Sequence, residues 1–295
     1  MKVSYFPGCT LNTTGKGFDN AVRASAAAVG LELVELPDWN CCGATYPLII
    51  DNMLELAAPA HVLVAARDEG STLTTACTTC YNVLKRTNLF IREHEEERER
   101  INDFIEATYD GKVEVKDIVH LLRDDIGYEA VRDKVVKPLK GLKVASYYGC
   151  MVLRPPDEVA YDDPDHPQSL DDLMAALGAT ADYAHKNECC GAYLAVKDPD
   201  VTREMVYTIL KSAQAAGTEA VVTNCPLCQF NLDRQQAQMQ KLHASYQPVP
   251  VFYFSQLMGL ALGLDASDYG WERHYIDARP LLSERGLWNG KADGS

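Results

Sequence analysis

The chain has 295 residues, with 47% hydrophobic and 24% charged side chains, enough for about two domains of roughly 150 residues each. That balance supports buried cores and excludes a disordered chain. A formal net charge of −14 and a pI near 4.9 exclude a general binder of nucleic acid or anionic membrane, because both need clustered Lys and Arg.

The predicted elements follow in chain order. Lys2 to Phe6 is a β-rich run ending at Gly8-Cys9. Phe18 to Gly30 reads as a helix, with Ala21, Ala24, Ala28 and Leu31 at helical spacing. Asn52 to Gly70 is a second helix, in which Pro59 predicts a kink or split. Ser71 to Ala76 is strand-like and runs into Cys77. Arg92 to Arg100 is a charge run whose Arg92/Glu96 and Glu96/Arg100 pairs predict one exposed helical face or a docking surface. Val113 to Val115 is strand-like. After a boundary near residues 128–141 the order repeats: strands at Leu142 to Tyr148, Glu219 to Thr223 and Val251 to Phe254, and a helix at Val201 to Gly217. The long first gap of the second set, Met151 to Glu188, holds Pro155, Pro156, Pro164 and Pro167, and is expected to form a stiff wall of a cavity. Asp268 to Ser295 is too apolar for a free tail and is expected to pack on the body or on a partner, with its last residues mobile.

Strands alternating with helices predict an α/β fold with largely parallel sheets. The expected divisions are a first domain over residues 1–140, a second over 141–265, and an extension over 266–295. No apolar run reaches the 18 or so residues of a membrane span; the longest, Phe252 to Leu264, is interrupted by Ser255 and Gln256. The N-terminus lacks the features of a signal peptide. The expected location is the cytoplasm, where thiols stay reduced and ten cysteines point to metal or redox chemistry.

The ten cysteines form two sets of five: Cys9, Cys41, Cys42, Cys77 and Cys80, then Cys150, Cys189, Cys190, Cys225 and Cys228. The first gap is 31 residues in one set and 38 in the other, and the gap after the adjacent pair is 34 residues in both. Cys41-Cys42-Gly43-Ala44 matches Cys189-Cys190-Gly191-Ala192, and Cys77-Thr78-Thr79-Cys80 matches Cys225-Pro226-Leu227-Cys228. The chain is therefore a tandem duplication, expected to give two pseudo-symmetric domains with cysteines at the strand C-terminal ends. Ligands collect at such ends in parallel sheets. Disulfides are disfavoured by compartment and by the strain of a bridge between adjacent residues. Zinc in one half stays open, although it takes four ligands and would leave a fifth cysteine over. An iron–sulfur cluster fits better, because adjacent thiolates can bind different irons. With five cysteines and no ferredoxin spacing, an atypical cluster is expected in each half.

The doubled arrangement resembles the cysteine-rich CCG domain, and a chain of this length with two copies is similar to the heterodisulfide reductase B subunit. The resemblance covers Met1 to about Asp265. It implies two noncubane 4Fe-4S clusters, each held by one set of five cysteines, with a small-molecule disulfide bound and reduced between them. That disulfide is coenzyme M joined to coenzyme B in methanogens, or a bacterial equivalent. The implied partners are the other two components of a heterodisulfide reductase, a ferredoxin-type C subunit, or a protein like it, together with a flavin-containing protein like the A subunit. Two further readings stand beside it: an electron-transfer CCG subunit linking a dehydrogenase to another carrier, and a redox-sensing scaffold. Lys16, Arg154 and Lys186 are candidates to offset cluster charge or hold an anionic substrate tail, although a solvated surface cation is the plainer reading of each. Tyr193 is a candidate to narrow the cavity, and His185 a candidate proton donor.

Overall fold

The computed structural model describes residues 1–44, 53–181, 183–243 and 245–288. Its strands are β1 (Lys2–Tyr5), β2 (Glu32–Glu35), β3 (Thr72–Thr75), β4 (Glu114–Asp117), β5 (Lys143–Tyr147), β6 (Thr180–Ala181), β7 (Ala220–Thr223) and β8 (Val251–Tyr253). They form two four-stranded sheets, ordered β2-β1-β3-β4 and β6-β5-β7-β8. Every pairing is parallel. The duplication in sequence is thus a duplication in topology. Helices cover the sheets, so the central strands are buried on both faces and read as short apolar or β-branched runs. In β7 all four residues are buried.

Parallel pairing places the C-terminal ends of all four strands of a sheet on one rim. In each half, three strands lead to cysteines there. The fourth strand ends at Asp117 in one half and at Tyr253 in the other.

The crossover helices lie close to the expected spans, at Lys16–Ala28, Ala57–Glu69 and Pro199–Ala215. The break expected at Pro59 falls before Ala57, after a three-ten turn over Met53–Leu56. Pro59 then sits in the first helical turn, where a missing N–H is harmless. Asn52, the expected start, lies outside the described residues. The charge run differs from expectation. The helix Thr78–Glu93 stops at His94, whose backbone is extended (φ −119°, ψ 95°), and a new helix runs over Glu95–Ile105. His94 stacks on Phe90 with ring centroids 4.3 Å apart, so Arg92 and Glu96 do not share one helix. Arg98 pairs with Glu95 at 3.2 Å, and Arg92 faces Glu93 at 3.9 Å.

One continuous apolar core includes buried residues of both sheets. At its centre the helix Lys16–Ala28 meets the helix Phe254–Ala261, and Phe18 stacks on Tyr253 with centroids 4.1 Å apart and planes within 5°. Such a pair contributes about 0.5–1.5 kcal/mol beyond its burial. Asp19, fully buried, accepts hydrogen bonds from Tyr5 Oη (2.8 Å), Lys16 Nζ (2.8 Å) and Arg23 Nε (2.9 Å). The C-terminal segment touches both halves. Asn20 donates to Asp268, Asp233 accepts from the backbone of Tyr275 and Ile276, and Lys137 donates to the Leu287 carbonyl. The last residues, 289–295, lie outside the described residues.

Candidate metal centre

All ten cysteines are free thiols. The two sets have the same local construction. Cys9 follows β1 and Cys150 follows β5, each after a glycine with positive φ: +72° at Gly8 and +68° at Gly149. A Cβ on Gly8 would stand 2.9 Å from Cys80 Sγ, and one on Gly149 would stand 3.0 Å from Cys228 Sγ. Glycine is thus required twice over, by conformation and by the closeness of the last sulfur of the set. At the end of β3, Thr75 Oγ1 accepts from the Cys77 N–H at 3.3 Å. At the end of β7, Thr223 does the same for Cys225, also at 3.3 Å. Cys77 and Cys225 are the N-caps of the long helices Thr78–Glu93 and Pro226–Leu242. The Cys225 sulfur itself accepts from the Cys228 N–H at 3.4 Å. Helix N-termini stabilise thiolates.

The adjacent cysteines part company in space. Cys41 Sγ lies 3.8 Å from Cys9, whereas Cys42 Sγ lies 3.4 Å from Cys80. In the second half Cys189 lies 3.8 Å from Cys150, and Cys190 lies 3.6 Å from Cys228. Cys80 and Cys228 each also meet the other sulfur of their own Cys-x-x-Cys turn, and among the described residues no group of three or more His, Cys, Asp or Glu is placed to hold a single metal ion. In three of these contacts the proton is unequally held. Contact with Cys80 pulls Cys42 down to about 7, and Cys80 is raised. Contact with Cys150 pulls Cys189 down to about 6, and Cys150 is raised. Cys225 falls to about 7 through contact with Cys228.

Two tyrosines lie between the sets. Tyr253 is raised by burial first, then by the negative charge of Cys225 and Cys77. Tyr193 is likewise raised by burial first, then by Cys225, with Cys77 and Cys150 contributing. Its hydroxyl donates to the Ala44 carbonyl at 2.7 Å, so the second Cys-Cys-Gly-Ala turn is tied to the first. The two rims thus face a common region.

The family model of the CCG cysteine-rich domain matches residues 3–85 and again residues 144–233. This chain belongs to the family of tandem CCG proteins that includes the heterodisulfide reductase B subunit. Among similar proteins, the 8-methylmenaquinol:fumarate reductase membrane anchor subunit of Wolinella succinogenes is 33% identical over 282 residues, 94% of this chain and 98% of that one. The B subunit of the ferredoxin/F420H2-dependent CoB-CoM heterodisulfide reductase of Methanosarcina acetivorans is 30% identical over 290 residues, 96% of each chain. In fold, a hypothetical protein from Helicobacter pylori matches with a TM-score of 0.71 at 14% identity; the match covers 93% of this chain and 51% of that one. Among the described residues of this CCG chain, no helix is long and apolar enough to cross a membrane.

The remaining candidates of the tandem CCG chain fall in different places. Arg154 lines a cavity with Cys189, donates to the Asn187 carbonyl at 2.9 Å, and contributes to lowering Cys189. Lys186 is turned inward, bonded to the Pro167 carbonyl at 3.1 Å and paired with Asp171 at 3.3 Å. Lys16 is paired with Asp19. His185 is paired with Glu188, 2.5 Å from its Nδ1. Spacing gave no sign of Asp117 or Tyr253. Aligning the fourth strands of the two halves would have marked both as equivalent rim positions.

Proposed function

We propose that each cysteine set of this chain holds one noncubane 4Fe-4S cluster, and that the two clusters together reduce a small-molecule disulfide bound between them. The balance is R–S–S–R′ + 2 e⁻ + 2 H⁺ → R–SH + R′–SH. The electrons come from a partner one-electron carrier of the ferredoxin type, itself served by a flavin-containing partner. The donor sets suit such a group. Five thiols stand free in each half, and neighbouring cysteines turn to different partners. The Thr78 hydroxyl, inside the first Cys-x-x-Cys turn, helps to lower the Cys225 thiol of the second set. When bound, a cluster supplies electrons one at a time, so a two-electron bond cleavage calls for a pair of them. The residues around them do the rest: the thiols anchor, and Tyr193 and Tyr253 fill the space between the sets. The domain division at residues 1–140, 141–265 and 266–295 belongs to the same reading.

The observation that carries it is the hydrogen bond from Tyr193 to Ala44, which draws the two CCG turns to one face. A second reading, electron transfer to another acceptor, draws support from the relative whose name links it to methylmenaquinol and fumarate. Cys42→Ser and Cys190→Ser proteins, prepared anaerobically, test the assignment. Each is expected to lose about half of the bound iron, keep the spectrum of the other half, and lose disulfide reduction. Full iron and full rate in either variant would overturn it. Clusters that cycle while their spectra ignore every added disulfide would leave the electron-transfer reading in its place.

A further inference from the structure

The two halves differ at one pair of equivalent places. The duplication maps Met151, after Gly149-Cys150, onto Thr10, after Gly8-Cys9. It maps Tyr81 and Asn82, after Cys80, onto Gln229 and Phe230, after Cys228. On one side these surfaces are stitched together. Tyr81 Oη donates to the Val159 carbonyl at 2.6 Å. Asn82 Nδ2 donates to the carbonyls of Met151 (2.7 Å) and Arg154 (2.8 Å), and Arg86 pairs with Glu158 at 2.7 Å. On the other side the counterparts Thr10, Gln229 and Phe230, together with Phe18, line a cavity of about 500 Å³. Phe230, where the first half has Asn82, has no amide to close the gap.

This cavity is lined by immediate chain neighbours of both cysteine sets. Thr10 follows Cys9 directly, and the lining residues Pro226 and Leu227 lie between Cys225 and Cys228. Its walls are aromatic: Phe18, Phe230, Tyr253, Tyr269 and Tyr275. Among the described lining residues Arg273 is the one with a fixed charge, and its guanidinium stands 3.8 Å from Glu272. His274, also in the lining, is pushed down to about 4 by burial and is uncharged at neutral pH. Arg234 lies over the Phe230 ring, 5.4 Å from its centroid, but lines the neighbouring groove.

We propose that this cavity is the acceptor-binding site, and that it takes a compact molecule with an apolar, ring-bearing body and at most one anionic group. A polyanion would leave its charges desolvated against aromatic walls with a single, already partnered cation to meet them. Ring faces favour offset or edge contacts with other rings. This rests on the disulfide reading above and narrows its substrate class.

The test is calorimetric binding to the anaerobic holoprotein of two size-matched disulfides, bis(4-hydroxyphenyl) disulfide, which is neutral, and bis(4-carboxyphenyl) disulfide, which is a dianion. The neutral compound is expected to bind at least about tenfold more tightly. Phe230→Ala and Tyr275→Ala, both on the rim, should each weaken it severalfold while leaving iron content unchanged. Equal or tighter binding of the dianion, or indifference to both substitutions, would overturn the proposal. Selective binding of the neutral compound with no reduction of it would uphold this site and sink the disulfide reading. Turnover that favours the dianion would do the reverse.

Discussion

Replacing Gly8 by alanine should damage the first cysteine set through two separable effects. Gly8 has a φ of +72°, and the left-handed conformation costs an L-residue about 1–2 kcal/mol. The added methyl would stand 2.9 Å from Cys80 Sγ, and forcing one extra carbon into a tight site costs about 1–3 kcal/mol. The sum is about 2–5 kcal/mol, and the second effect is aimed at a sulfur. Gly217 supplies the control: its φ is +75°, and a methyl added there would meet nothing within 4 Å. Gly217→Ala should therefore show the conformational cost alone. Urea midpoints and iron content, measured side by side, separate the cases. Gly217→Ala should keep full iron. Gly8→Ala should lose more stability and about half of the iron, and Gly149→Ala, whose methyl would stand 3.0 Å from Cys228 Sγ, should mirror it. If Gly8→Ala behaved like Gly217→Ala in both measurements, the close approach of Gly8 to Cys80 would not be what the position requires.

Asp117 gives a pH dependence of defined sign. Burial raises its carboxyl from 3.8 to about 7, so its contribution is fully present below about pH 4 and is lost as pH rises through about 7, up to about 4 kcal/mol. Asp117→Asn, which keeps an oxygen for the Val119 N–H that Asp117 caps, should flatten this loss; urea midpoints at pH 5 and pH 8 that run parallel in both proteins would contradict it. Asp19→Ala should cost about 1–3 kcal/mol, because it leaves the buried Tyr5 hydroxyl without its acceptor and frees the partly exposed Lys16 and Arg23, all of which donate to that carboxylate. A thermal midpoint within a degree or so of the parent would show the network to be idle.

The repeat and most strands were legible because each strand leading to a Gly-Cys or Cys-x-x-Cys motif is a short apolar or β-branched run, closed by a residue type with a conformational job. Edge strands were not. β2 is Glu-Leu-Val-Glu and β6 is only Thr180–Ala181, too short for alternation to register. The helix Ser169–Ala176 hides behind a proline-rich stretch. The ten cysteines could be read from spacing, but their pairing could not: which neighbour Cys41 and Cys42 each face is decided by the rim. Lys186 looked available in sequence because its partner, Asp171, lies 15 residues earlier, in the helix Ser169–Ala176. Tyr193 stood out by its position, yet its hydrogen bond to Ala44 spans 149 residues and belongs to tertiary structure alone.

The stitching of Tyr81 and Asn82 to Val159 and Met151 has a consequence for handedness of approach. A doubled protein with perfect symmetry would greet a visitor identically from either direction, and an unsymmetrical molecule could lie in it both ways round. Here one seam is stitched, so on the reading proposed above a guest would find the two approaches unlike, and its two orientations would no longer be equivalent. Duplication alone would leave the two faces interchangeable; the closure of a single seam makes them distinct.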